Sequence, residues 1–126
     1  MKRSLIEVYA LAVCFVTLVC FVVSLGIGIY DLIQIINPKF TISSYQYDRH
    51  QSNEAFLEAW PKEKPQPVGE ELTTLREESY QAALRSEKRR AVQSLTQVLI
   101  VILIDIVVFG IHWYMAKRVR AAADAS

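Results

Sequence analysis

Two stretches of the chain carry almost no charge. Val8 to Tyr30 is 23 residues without an Asp, Glu, Lys or Arg, and Ala91 to Ala116 is 26 residues with one, Asp105. Apolar runs of 18 or more residues read as membrane-spanning helices, and 23 residues at 1.5 Å each reach roughly 35 Å, enough to cross a bilayer with some tilt. Between them the pattern is polar and broken. Residues 37–51 mix β-branched and aromatic side chains in partial alternation, which predicts an extended segment or weak strand. Ser52 is placed to cap a short helix through Trp60, with Phe56 and Trp60 four apart on one face. Pro61 to Pro67, with three prolines, reads as a linker. From Glu70 a helical pattern resumes, acidic at its start (Glu70, Glu71) and basic further on (Lys88, Arg89, Arg90). With no proline and no glycine before Gly110, it predicts one helix from about Glu70 to Val119, roughly 75 Å long.

The expected fold is therefore an all-α membrane protein. It is a two-span helical hairpin with a connecting region of about 50 residues outside the membrane and a stalk helix continuous with the second span. The parts are residues 1–36 (tail and first span), 37–69 (extended segment, short helix, proline-rich linker), 70–92 (stalk), 93–116 (second span) and 117–126 (basic tail). The stalk carries Leu72, Leu75, Ser79, Ala82 and Ser86 along one face, a thin apolar stripe suited to touching another helix.

Apolar side chains are 52% of the composition and the formal net charge is +1, which means little until it is divided. Lys2, Arg3, Lys117, Arg118 and Arg120 against Asp124 give the ends +4, while residues 37–90 hold nine bases and nine acids. No basic stripe stands apart to neutralise phosphates along a nucleic acid, so none is expected as a partner. Orientation follows Lys and Arg beside the spans. Lys2 and Arg3 favour cytoplasmic termini, with the connecting region on the opposite side, although Arg85 and the Lys88–Arg90 run oppose this. The expected setting is a bacterial inner membrane. A secretory signal has an apolar core of about 7–15 residues and a small-residue cleavage site, so the longer first run reads as an uncleaved anchor.

Within the first span, Glu7, Ala10, Cys14, Thr17, Phe21, Ser24, Gly28 and Asp31 recur at intervals of three and four. Most are small or polar, while Val, Leu and Ile fill the other faces. In lipid such a stripe marks a helix–helix contact, because small residues permit close approach and the solvent supplies no hydrophobic drive. The matching line of the second span is Ser94, Val98, Val101, Asp105, Val108, His112 and Met115. Cys14 and Cys20, the two cysteines of the chain, stand six apart on different faces and read as packing residues.

Asp105 lies near mid-span, where an ionised carboxylate is costly unless paired, neutral or hydrated. It has two readings: a polar clamp bonded to Thr17, a second copy or a partner subunit, or a proton or ion relay. In an antiparallel hairpin it falls level with Thr17 and Cys20, and His112 comes level with Glu7 or Ala10. His112 as a haem ligand would need an opposing histidine that the first span lacks, so it reads as an interface residue beside Trp113 and Tyr114. Asp48 and His50, two apart, are metal ligands only if others converge, so no metal or other cofactor is expected. The plan of two spans with an acid in the second superficially resembles a rotary-ATPase ring subunit. The first span is not glycine-rich, however, and the long connection replaces that family's short polar loop, so no residue role carries over.

These features imply no catalytic site. They describe a non-enzymatic accessory, assembly or scaffolding subunit of a membrane complex, held in the bilayer and docking to integral membrane subunits or to itself. The alternative is a self-associating channel or proton-coupled subunit that uses Asp105. The orientation is directly testable. With Cys14 and Cys20 replaced, a cysteine at Ser52 is expected to react with an impermeant thiol reagent added from the non-cytoplasmic side, and one at Ser126 is not. The reverse pattern would show that the Arg85–Arg90 cluster sets the topology.

Overall fold

A computed structural model describes residues 4–125. Lys2, Arg3 and Ser126, on which the expected orientation and its cysteine test rest, lie outside the described residues. Every regular element among the described residues is helical: α1 (Leu5–Ile36), α2 (Pro38–Thr41), α3 (Ser44–Arg49), α4 (Asn53–Glu58) and α5 (Gly69–Ala125).

Ser4 opens α1. Its hydroxyl accepts from the Glu7 amide at 3.2 Å, satisfying one of the donors that every helix start leaves free. The helix then runs 32 residues, and the Asn37 amide makes its last bond to Ile33 O at 2.8 Å. Pro38 follows with no amide proton to continue the ladder. α5 runs 57 residues without a break and begins at Gly69, whose φ of 64° is open to glycine and strained for a residue with a Cβ.

The two long helices are apolar and long enough to cross a membrane. Only 22% and 6% of their most apolar windows are buried, where the core helix of a soluble protein is mostly buried. Leu, Ile and Val side chains stand exposed along both.

The chain divides into two compact units. The first comprises α1 through Ile29 with α5 from Ser94 onward, and the second runs from Tyr30 to Gln93. In the second unit the expected extended segment at 37–51 is instead two short helices. Phe40, Thr41, Ile42, Tyr45 and Tyr47 have the local preference for strand, but stronger signals prevail. Pro38 takes the first position of α2, and the Ser43 hydroxyl caps α3 by accepting from the Gln46 amide at 3.3 Å. Ser52 caps α4 through the Ala55 amide at 3.1 Å.

These turns are held against α5 by His50, which is 5% exposed. Its Nδ1 faces Gln46 O, which can only accept, so Nδ1 carries the proton. Its Nε2 meets Ser79 Oγ at 2.9 Å, and the ring stacks 5.4 Å from Tyr80 and lies 5.9 Å from Phe56. Asn53 Nδ2 donates to Thr73 Oγ1 at 3.2 Å, and Gln34 Nε2 donates to Glu87 Oε1 at 2.6 Å. The expected stalk stripe is displaced accordingly. Leu72 and Leu84 are buried and Leu75, Ser79 and Ala83 half-buried, whereas Ala82 and Ser86 are exposed. The inward line runs through Leu72, Ser79 and Ala83–Leu84, and the positions Ala82 and Ser86 face solvent.

Gly69 makes this geometry testable. Gly69→Ala is expected to destabilise the fold by about 1 kcal/mol, since a Cβ disfavours its φ. Gly110→Ala, where nothing stands within 4 Å of the added carbon, is expected to be neutral or stabilising. Thermal melts followed by circular dichroism in detergent give both values.

Candidate functional site

In the first unit, α1 and α5 run antiparallel, and their contacts fix the register. The Tyr9 and His112 rings meet edge to face at 5.7 Å, and Cys14 Sγ lies 3.9 Å from Phe109 O, a weak S–H contact. At the far end of the unit, a Cβ on Gly28 would lie 3.4 Å from Val98 Cγ1 and 3.9 Å from Leu95 Cδ1. As the α1 number rises the α5 number falls.

The small and polar line of α1 is its inward face. Ala10, Cys14, Thr17, Ser24 and Gly28 are buried and Phe21 is half-buried, with Glu7 and Asp31 buried at either end. Cys20 is exposed and takes no part. On α5, Val98 is buried and Ser94, Asp105, Val108, His112 and Met115 are half-buried. Val101 departs from expectation. It is 42% exposed, and Ile102 is half-buried in its place. The inward face of α5 follows Val98, Ile102, Asp105, Phe109, His112 and Ala116. Where every neighbour is Val, Leu or Ile, a period near 3.5 leaves the choice between adjacent positions to packing.

At the level of Asp105 the two helices leave a cleft of about 210 Å³, lined by Thr17, Leu18, Phe21, Asp105, Ile106 and Phe109. Its walls are almost entirely apolar, with Asp105 and Thr17 the polar residues among them. The expected bond between Asp105 and Thr17 is not made. Thr17 Oγ1 donates to its own helix, to Cys14 O at 2.9 Å, and Asp105 Oδ2 is buried without a hydrogen-bond partner. Asp31 Oδ2, Arg49 Nε, Asn53 Oδ1 and Trp60 Nε1 share this condition among the described residues. Only Asp105 sits beside an apolar cleft between the two long helices, and each such atom calls for an explanation. His112 Nδ1 donates to Val108 O at 2.8 Å, within α5. Next to it, Phe109 stacks on Trp113 at 6.0 Å, and Lys117 Nζ lies 5.8 Å from the Trp113 ring centroid.

In the second unit His50 spends both ring nitrogens on Gln46 and Ser79, and its contacts do not include Asp48. Among the described residues no three His, Cys, Asp or Glu side chains converge. Sequence reasoning missed Phe109, which floors the cleft and receives Cys14. Its spacing of four from both Asp105 and Trp113 was the available signal. It also missed the pairing of Gln34 with Glu87, for which the sequence holds no local sign.

Chain and site together define an all-helical protein with two long apolar helices and an unpaired acid in a cleft between them. Comparison with protein-family models, with curated proteins and with solved structures found no match.

The close approach at Gly28 is the point to perturb. Gly28→Leu drives a large side chain into Val98 and Leu95, and overpacking of this kind costs about 1–3 kcal/mol. Gly26→Leu adds the same bulk where nothing lies within 4 Å and is expected to leave stability within about 0.5 kcal/mol. Unfolding midpoints in detergent distinguish the two positions.

Proposed function

We propose that this chain is an integral membrane protein, a two-span helical hairpin that works by binding rather than catalysis. It is an accessory or assembly subunit that docks through its membrane helices to another membrane protein or to a second copy. The observation that carries this reading is the buried, unpartnered Asp105 Oδ2 in an apolar cleft. The inward stripe of α1 is already used within the chain, so it is not free to recruit a partner. The cleft beside it is open, with Leu18 and Ile106 on its rim 52% and 60% exposed. In hydrocarbon an aspartate at a helix centre costs about 2.5–3.5 kcal/mol, and a hydrogen-bond donor brought by a third helix offsets part of that.

The setting that fits is a bacterial inner membrane, with both termini cytoplasmic and the connecting region on the opposite side. The exposed aromatic rings of Tyr9, Trp113 and Tyr114 suit the headgroup level at the terminal end of the hairpin. A second reading, a channel or proton-coupled subunit, draws on the same carboxyl, because a group that gains and loses a proton also needs a free oxygen.

Substitution of Asp105 separates the readings. For a docking clamp, Asp105→Asn keeps the shape and an acceptor oxygen for the incoming donor and preserves association. Asp105→Leu weakens it by roughly 0.6–2 kcal/mol, the scale of hydrogen bonds between membrane helices. Association is measured by energy transfer between labelled copies and by co-purification in mild detergent, and proton flux in liposomes. An Asp105→Asn protein that assembles normally but loses flux would establish the relay instead.

A further inference from the structure

We propose that the second unit carries a binding site for the phosphate of an anionic phospholipid, built from Lys39, Arg85 and Lys88. The three line one cleft of about 430 Å³, together with Asn37, Gln81 and Leu84, at the point where α1 gives way to α2. Region 37–90 as a whole balances nine bases against nine acids, yet no acid lines this cleft. The nearest carboxylate along α5, Glu87, is engaged by Gln34 at 2.6 Å. Lys39, Arg85 and Lys88 form no ion pair among the described residues. The kink responsible is Pro38, which ends α1 and sets Lys39 beside the α5 turn that carries Arg85 and Lys88.

The chemistry of the cleft suits a phosphodiester. A guanidinium grips two phosphate oxygens at once, two ammonium groups add charge, and the Asn37 and Gln81 amides can bond headgroup hydroxyls. A lipid rather than a free anion is favoured by what adjoins it. Ile36 and Phe40, on either side of the Pro38–Lys39 turn, are 80% and 75% exposed, and Ile33 is 41% exposed one turn earlier. They offer an apolar track for acyl chains below a cationic seat for the headgroup. Basic pockets between membrane helices bind anionic headgroups on the cytoplasmic side, and the same charge pairing serves an anionic lipid in the opposite leaflet, where the proposed topology puts this cleft. The site rests on the proposed membrane insertion, since only then do Ile36 and Lys39 sit at the hydrocarbon boundary.

The test uses the full chain in nanodiscs of phosphatidylcholine containing a minor fraction of phosphatidylglycerol, with the lipids retained on release read by native mass spectrometry. The intact chain is expected to keep phosphatidylglycerol well above its share of the bilayer. Lys39→Gln/Arg85→Gln/Lys88→Gln is expected to lose at least tenfold of that preference, given roughly fivefold per cation at an anionic surface. Lys64→Gln/Arg89→Gln/Arg90→Gln removes the same charge outside the cleft and is expected to change it little. Equal losses from both triple variants would reduce the effect to general surface charge and overturn the site. Displacement of the lipid by millimolar inorganic phosphate would overturn the lipid assignment. Circular dichroism checks that the exposed substitutions leave the fold intact. Insertion is scored separately, by carbonate-resistant recovery with vesicles of phosphatidylcholine alone, so a failed site and a failed membrane reading give different results.

Discussion

Two apolar helices in hydrocarbon gain nothing by hiding leucines from a solvent that is itself apolar, so what holds them together is close packing and polar contact. The approach of α1 to α5 depends on this constraint. Ala10, Cys14, Ser24 and Gly28 bring the backbones near enough for Val98 and Leu95 to stand in van der Waals range of the glycine. Thr17 adds a hydroxyl that folds back on the Cys14 carbonyl and so exposes no unmet donor at the contact. On α1 most of the large side chains point the other way, and α5 packs Val98, Ile102 and Phe109 against its small face. An arrangement with the leucines inside and the small residues outside would be wrong for lipid, though right for water.

The second unit follows ordinary aqueous logic, and its anchor is a histidine. His50 ties α3 to α5 through Ser79 and Tyr80, while Phe56 closes over it from α4 and Arg49 lies 5.2 Å from the Phe56 ring centroid. Leu72 and Leu84 are buried on the same helix that carries Ser79. Three short helices of four to six residues would not persist alone, since helix formation needs more turns than that to recover the cost of nucleation. Their caps at Ser43 and Ser52 and their contacts with α5 supply what length does not.

The sequence showed the long helices and the inward line of α1 because both rest on contrasts visible residue by residue: charge against its absence, small against large. It did not show which face of α5 turns inward around Val101, because Val101 and Ile102 are equally apolar and only packing chooses between them. Residues 37–51 were misread as extended for a related reason. The aromatic and β-branched content of that stretch is a real local preference, but it was outweighed by a proline and a serine in capping positions and by a histidine whose partners lie 29 residues away at Ser79. Asp105 was legible as a polar residue in an apolar run, and the cleft beside it was not. That Thr17 would face it and still leave it unpartnered depends on a rotamer, which no spacing reveals.

That rotamer bears directly on function. A threonine in a helix can satisfy its hydroxyl on the carbonyl three or four residues back at almost no cost. Thr17 does so, which leaves Asp105 as the one polar group of the cleft with an oxygen unmet within its own chain. Had Thr17 donated to Asp105, that carboxyl would be satisfied within the chain. On the proposed docking role, the cleft is a place where another helix gains more than packing by arriving, and the gain is directional. A helix bearing a donor at the matching depth is favoured over one that is merely apolar. On the proposed docking role, selectivity comes from a single buried polar group rather than from area.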